Sequence, residues 1–448
     1  MKILHINISD AAISGGGSAV AAFRLHEALL QNNVNSQMLV SYKKSNMDSI
    51  ITLPPNKNIG DKILSKSDKI IKIILNKLLF VKYKKTISND FGSFSSQIDS
   101  NKKLVKFINE IDPDIVHLHL IRYVSLSIED IAKINATIVW TLHDMWAFTG
   151  GCHLVAEQVP LHSGKRTPPC SGIGVMCDKY AQNCGRCDVL GSKISKDLSF
   201  RILQRKKKTF AKIKSMSIIG VSKWMSDCAK KSAVFSDKKV VCLPNPINSD
   251  VFKPIDKFQS RMLWNLPKDK KLILFGAMAA TSTPHKGYNL LIETLNKIAS
   301  ENIEFVVFGS DEPKNPPNLP HKIHYLGHLN DDVSLVSLYS ACDVMVVPSK
   351  REAFGQTASE SLSCGTPAVA FGIGGLPDII DHKINGYLAQ PFDTLDLAEG
   401  IDWVLNSENY DELSKNARRK VVSTFDYDVV AKKYINLYEE TLRNGRKI

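Results

Sequence analysis

The segment Pro348-Ser349-Lys350-Arg351-Glu352-Ala353-Phe354-Gly355-Gln356-Thr357-Ala358-Ser359-Glu360 places two carboxylates on either side of a glycine. An apolar run, Val344–Val347, precedes it and reads as a buried strand ending at Pro348. A helix is expected to start near Gly355 and to end at Cys364-Gly365-Thr366-Pro367. Gly365 suits a left-handed cap there, and Pro367 blocks continuation. The loop before that helix offers free backbone N–H groups at a helix N-terminus, which favours an anion. Glu352 lies in the loop, and Glu360 one to two turns into the helix. A carboxylate is a two-oxygen acceptor suited to neighbouring hydroxyls. The chemistry implied is an anion site at the carboxyl end of a strand, where open α/β sheets keep their sites; either glutamate taken alone reads as a solvated surface residue.

Other residue types add to this. Phe275-Gly276-Ala277-Met278-Ala279-Ala280-Thr281-Ser282-Thr283-Pro284-His285-Lys286-Gly287 also follows an apolar run and precedes a helix. It sets His285 and Lys286 in a strand-to-helix loop, where a lone lysine by itself reads as solvated. Ser14-Gly15-Gly16-Gly17-Ser18 follows the first strand, and adjacent glycines let the backbone approach a ligand closely. Thr141-Leu142-His143-Asp144-Met145-Trp146 ends another apolar run; a lone histidine at a strand end, as His143 is, is more often structural than catalytic, and Asp144 could be an acid or a cap for the next segment. Asp112-Pro113-Asp114 has the spacing of a metal-binding D-x-D, but it sits before a strand, with Pro113 marking the entering turn, so a metal role is rejected. His117 and His119 share a strand face and read as packing residues. Five cysteines, Cys152, Cys170, Cys177, Cys184 and Cys187, fall close together and end in C-x2-C. In a reducing compartment that pattern favours a tetrahedral structural zinc. Any four could ligate, and His153 or His162 could substitute. Cys228, Cys242, Cys342 and Cys364 read as packing residues.

The elements that must position these groups form a repeating pattern. Apolar runs at Lys2–Ile8, Asp114–Leu120, Ala136–His143, Ser217–Ser222 and Lys239–Leu243 alternate with helical stretches. So do Lys271–Gly276, Ile303–Gly309, Asp343–Pro348 and Pro367–Phe371. Continuous apolar runs suit parallel strands buried on both faces, so the class is α/β with doubly wound sheets. With 448 residues, two or three domains are expected. Two prolines in Leu243-Pro244-Asn245-Pro246 mark the divide. The expected domains are 1–243, with a cysteine-rich insertion at 150–190, and 244–426. A terminal helix over 427–448 is expected to pack back on the N-terminal domain.

Composition excludes some classes. An apolar fraction of 44% rules out global disorder, and no apolar run is long enough for a transmembrane helix. The N-terminus reads as a strand and not a signal peptide, so a cytoplasmic location is expected. A net charge of +13 calls for an anionic partner. Residues 61–85, with eight lysines among isoleucines and leucines, read as an amphipathic helix that could touch an anionic membrane, and Lys206-Lys207-Lys208 adds charge to the same domain.

The Glu352-x7-Glu360 segment resembles the signature of the retaining glycosyltransferases of family 4, which have the GT-B fold of two Rossmann-like domains facing a central cleft. The likeness extends through His324-Tyr325-Leu326-Gly327-His328, Leu338-Tyr339-Ser340-Ala341-Cys342-Asp343, Gly365-Thr366-Pro367, Gly374-Gly375-Leu376-Pro377-Asp378 and Asn385-Gly386-Tyr387-Leu388. The resemblance implies that Glu360 binds the ribose of a nucleotide diphosphate sugar donor and Glu352 the transferred sugar. The backbone at Phe354 and Gly355 then faces sugar and diphosphate, and His143 contacts the sugar. Lys286 meets the diphosphate, Gly16 and Gly17 lie near donor phosphate or acceptor, and no catalytic metal is needed. The family's arginine after Gly276 is Ala277 here, so His285 or Arg351 would have to assist Lys286. A subgroup has a four-cysteine segment after its His-Asp; aligned on C-x2-C, the four are Cys152, Cys177, Cys184 and Cys187, with Cys170 as alternate. The implied acceptor is a glycan or lipid-linked glycan of surface polysaccharide synthesis, with the enzyme peripheral to the cytoplasmic membrane and no nucleic acid bound. Alternative readings are a nucleotide-sugar epimerase on the same fold and a zinc-containing nucleic-acid-binding protein.

Overall fold

The computed structural model describes residues 1–10, 12–54, 74, 78–83, 94–98, 100–121, 124, 126–154, 177–298, 300–329 and 331–445. Most of the lysine-rich stretch 61–85, together with His162 and Cys170, lies outside the described residues. The chain divides into two compact units. One is built on residues up to Leu243 together with the C-terminal segment from Lys432; the other is built on Pro244–Ala431.

The first unit carries a parallel sheet of β1 (Lys2–Ser9), β2 (Asn35–Tyr42), β3 (Ile50–Thr52), β4 (Ile115–Leu118), β5 (Thr137–Leu142), β6 (Met216–Gly220) and β7 (Lys239–Cys242), in the order β3-β2-β1-β4-β5-β6-β7. The apolar runs are continuous because both faces are covered: Ile3, Leu4, Ile6, Val116, Leu118, Ile138 and Ile218 are all buried. Strand order reverses at β1, between β2 and β4, so the carboxyl ends of β1 and β4 form a switch point. Helix Ala12–Gln31 follows β1 and is broken at Gly16, whose φ of 59° and ψ of −155° only glycine adopts readily. Helix Leu198–Phe210 is capped by Asp197, which accepts from the Phe200 N–H at 3.2 Å. The last helix, Tyr427–Gly445, buries Tyr434, Leu437 and Tyr438. In the first unit the Thr441 hydroxyl lies 2.9 Å from that of Ser217.

The second unit repeats the plan with β8 (Lys271–Gly276), β9 (Ile303–Phe308), β10 (Ile323–Tyr325), β11 (Val344–Val347), β12 (Ala368–Phe371) and β13 (Gly386–Ala389), in the parallel order β10-β9-β8-β11-β12-β13. Its switch point lies between β8 and β11. Asp343 fixes the start of both strands. Its Oδ2 accepts from the Leu272 N–H at 2.7 Å and from Nη2 of buried Arg261 at 2.7 Å. A buried charge so fully bonded resists removal of any one partner.

All nine apolar runs read as strands are strands, and β2, β3, β10 and β13 are additional. One surface expectation is corrected: Lys206 is wholly buried, so only Lys207 and Lys208 of that trio face outward. Among the described residues no helix is long and apolar enough to cross a membrane.

Candidate active site

In the second unit, the loops after β8 and β11 are stitched together. Gly287 has a φ of +77°, and a Cβ there would lie 1.8 Å from the Pro348 carbonyl oxygen. The Lys350 N–H donates to the His285 carbonyl at 2.8 Å. These contacts hold Lys286 over the Glu352 loop, and its Nζ reaches Glu352 Oε2 at 2.9 Å in a half-buried ion pair. The Ser349 hydroxyl donates to the same oxygen at 3.3 Å. From the other side, the Gly375 N–H donates to the Glu352 carbonyl at 3.0 Å. Gly374, at φ +54°, comes so close that a Cβ would lie 2.0 Å from that carbonyl oxygen. Glu352 is thus clasped by three loops at a switch point of the sheet.

Helix Gln356–Ser363 starts at Gly355, whose φ is +118°. Phe354 is buried, its ring set edge-on to Phe425 at 5.7 Å. Glu360 projects from the second turn and is buried; its Oε2 accepts from the Tyr339 hydroxyl at 2.8 Å. The sequence carries no sign of the Tyr339 contact, because a bond between two helices leaves no spacing signal. Ala277, where an arginine would be expected, is half-buried, and Arg351 is buried in the Glu352 loop.

In the first unit, β5 delivers His143 to a narrow pocket that it lines with His119, Trp140, Asp144, Trp146 and His153. Burial lowers the His143 pKa to about 4, so the ring is neutral near pH 7. Asp144 is a structural acceptor: Oδ1 takes the Trp146 N–H at 2.9 Å, and Oδ2 lies 2.7 Å from His153 Nδ1. Burial alone would raise its pKa, but His153 and the Trp146 N–H leave it below the ordinary value. Lys206 donates to the Thr149 carbonyl at 2.9 Å and to that of Trp146, and lies over the Trp146 ring at 3.6 Å. It therefore fastens the turn that follows His143. The reading of His117 and His119 as plain packing residues is revised: both are buried, and both are hydrogen-bonded through each ring nitrogen. Asp112 is the left-handed C-cap of helix Lys102–Ile111, and Asp114 accepts from the Lys2 N–H at 2.7 Å, so both have structural work. Gly16 breaks its helix beyond the end of β1, and Gly17 is exposed.

Cys152, Cys177, Cys184 and Cys187 are free thiols lining one small pocket. The Cys184-to-Cys187 turn needs positive φ at Gly185 and Arg186. Gly150 allows the approach of Cys184: a Cβ there would lie 2.9 Å from Sγ. A hydrogen bond from Cys152 lowers the Cys187 thiol to about 7. The four thiols come from two segments and are the donor type that zinc takes, but among the described residues the ligand atoms gathered within 4.8 Å of one another are those of His5, His117 and His119, not these sulfurs.

Residues 256–420 match the family described as glycosyl transferases group 1. The chain is 30% identical over 275 residues to an uncharacterised glycosyltransferase of Methanocaldococcus jannaschii, covering 58% of this chain and 67% of that protein. It is also 30% identical over 206 residues to the N,N'-diacetylbacillosaminyl-diphospho-undecaprenol alpha-1,3-N-acetylgalactosaminyltransferase of Campylobacter jejuni, covering 44% of this chain and 53% of that enzyme. The chain therefore spans about two thirds of the first relative and about half of the second. Among solved structures it is similar to Anabaena HepE in complex with UDP and glucose, with a TM-score of 0.62 at 13% identity, covering 98% of this chain and 99% of that one. At that identity the likeness is one of fold, the two-domain α/β fold named GT-B.

Proposed function

The chain belongs to the group 1 glycosyl transferases, and from that premise we propose that it moves a sugar, with retention of configuration, from a nucleoside diphosphate sugar to a glycan or lipid-linked glycan. The observation that carries this reading is the meeting of Lys286 with Glu352 at the β8/β11 switch point, one helix away from buried Glu360. A cation, a loop N–H array and two carboxylates match the groups of such a donor: phosphates, sugar hydroxyls and ribose hydroxyls. The relative solved with UDP and glucose, and the relative named for a diphospho-undecaprenol acceptor, support the donor and acceptor classes.

In this reading the donor diphosphate takes over Lys286, and the freed Glu352 oxygen accepts from a sugar hydroxyl. Glu360 holds the ribose through its carboxylate, which the Tyr339 hydroxyl steadies at Oε2. The bond from the anomeric carbon to the phosphate oxygen breaks as the acceptor oxygen bonds on the same face. The acceptor's proton passes to the leaving phosphate. Lys286 and the loop N–H groups near Phe354 and Gly355 meet the developing phosphate charge, so no catalytic metal is invoked. With Ala277 in place of an arginine, most of that charge falls on Lys286. His285 serves through its backbone carbonyl, which holds the Glu352 loop.

Calorimetric titration with a panel of nucleotide sugars tests the proposal. One donor should bind, and Glu360→Ala should weaken it at least tenfold. Unchanged affinity would remove Glu360 from the ribose, and absence of binding by any donor would reject the donor class. We also propose that Cys152, Cys177, Cys184 and Cys187 hold a structural zinc that would staple their two segments. Elemental analysis should find about one zinc per chain, lost in Cys184→Ser; a metal-free, fully folded protein would dismiss it.

A further inference from the structure

The site residues leave one buried group of side chains unexplained. His5 lies on β1, and His117 and His119 lie on and just beyond β4, which is paired beside it with His5 opposite His117. Alternate residues of a strand share a face, so His117 and His119 point the same way. β5 is the next strand, and His143 directly follows its last residue, Leu142. His5, His117 and His119 are almost wholly buried. Ring centroids are 5.2 Å apart for His5 and His119, 4.2 Å for His117 and His119, and 5.4 Å for His119 and His143.

The hydrogen bonds form a chain. His5 Nδ1 lies 2.9 Å from His119 Nε2, and His119 Nδ1 lies 3.1 Å from His143 Nε2. The backbone fixes the middle ring: the His119 N–H donates to the Ile6 carbonyl, and the His119 carbonyl accepts from Trp140 Nε1 at 3.2 Å. His117 stands outside the chain, with its nitrogens bonded to the Tyr438 hydroxyl at 2.6 Å and the Thr141 hydroxyl at 2.7 Å.

A neutral imidazole has one N–H and one bare nitrogen. His119 uses both nitrogens, so the three rings can hold their protons in only two ways: all on Nδ1 or all on Nε2. The far end of the chain decides between them. His5 Nε2 is buried without a hydrogen-bond partner among the described residues. A proton there would be a buried donor with no acceptor, the rarer and costlier arrangement. With the protons on Nδ1, that nitrogen is only a bare acceptor. At the near end, His143 Nδ1 makes no hydrogen bond to a described residue, and His143 lines the pocket.

We propose that His5 and His119 act as positioning residues that lock His143 as its Nδ1–H tautomer, so that the ring meets its ligand as a hydrogen-bond donor. Its one basic nitrogen, Nε2, is covered by His119. His143 is then barred from taking a proton from the acceptor, which leaves that task to the departing phosphate. This consequence rests on the transferase reading; the tautomer itself does not.

The test is two-bond proton–nitrogen correlation NMR of the full chain labelled with 15N-histidine, at pH 7 and without any sugar. His143→Gln identifies the His143 signals. The proposal expects His5, His119 and His143 neutral, each with its proton on Nδ1. His119→Phe should release His143 to the Nε2–H form that free imidazole side chains prefer. His119→Gln, with an N–H and a carbonyl of its own, should restore Nδ1–H. An Nε2–H form of His143 in the unaltered protein would overturn the proposal even if no variant folds. So would an unchanged tautomer in a folded His119→Phe. Ligand nitrogens of His5, His117 and His119 lie within 4.8 Å of one another, a spacing that a metal ion could also exploit. Cobalt(II) that shifts these three sets of signals, and fails to do so in His5→Phe, would replace the chain with a metal site and overturn it. A transferase assay separates the two readings: if no nucleotide sugar is used while the tautomers are as expected, the functional reading falls and the histidine chain stands.

Discussion

Lys286 spends the unliganded state paired with Glu352, so its charge is aimed and partly desolvated before any phosphate arrives. Lys286→Ala should lower kcat/KM by about 100-fold or more, the range for losing one preorganised donor to developing charge. Its melting temperature should fall as well, because the pair is only 25% and 17% exposed and the substitution leaves the Glu352 charge partly buried without its partner. Wild-type kinetics in this variant would remove Lys286 from the diphosphate. At this scale the sequence was informative where a motif is contiguous. Glu352, Gly355 and Glu360 stood out because one loop and one helix carry them. The Tyr339 bond to Glu360 and the His5–His119–His143 chain were not legible, since each joins elements whose adjacency only the sheet order reveals. Lys206 misled for a related reason: a run of lysines looks solvated until the helix face is known.

At the scale of elements, the site depends on glycines that let loops cross. In Gly287→Ala the new methyl would meet the Pro348 carbonyl, and the residue would have to hold a positive φ. A loss of about 1–3 kcal/mol is expected from such backbone strain, read as a lower thermal midpoint, with activity falling because Lys286 is displaced. Gly372→Ala is the control: its Cβ would have only an ordinary contact, 3.5 Å from the Ala389 carbonyl oxygen. Equal effects in the two variants would show that the crossing at Gly287 does not matter. Nine strands were legible because burial on both faces leaves an unbroken apolar run. The four additional ones escaped for visible reasons. β2 reads Asn-Ser-Gln-Met-Leu-Val-Ser-Tyr, with polar residues at both ends. β3 and β10, the edge strands at one end of each sheet, have three residues each. β13, also an edge strand, is Gly-Tyr-Leu-Ala, too short to show a period.

For the molecule as a whole, buried histidines set the response to acid. Burial lowers the pKa of His5, His117 and His119 well below the ordinary value, and takes His26 and His143 to about 4. The unfolded chain therefore takes up these protons first. The stability due to the neutral rings is complete above about pH 6.5 and is lost as pH falls toward the folded values. At pH 5 a single such ring costs ~2 kcal/mol relative to neutral pH. The thermal midpoint should thus drop steeply between pH 7 and pH 5; a flat profile would show that these rings are not held neutral. The α/β class was legible from alternation alone. The tendency to acid lability was not, because a histidine in an apolar run has the same letter whether it is wet or dry.

The return of helix Tyr427–Gly445 to the first unit gives the molecule a temporal order as well as a spatial one. Tyr438 closes on His117, and Thr441 on Ser217, yet 188 residues of the second unit, Pro244–Ala431, are synthesised between the two halves of that core. During translation the first sheet must wait, with the surface around His117 uncovered, while the second unit is made. The N-terminal part is therefore incomplete until the last helix is made, whereas Pro244–Ala431, one unbroken stretch, is able to finish first.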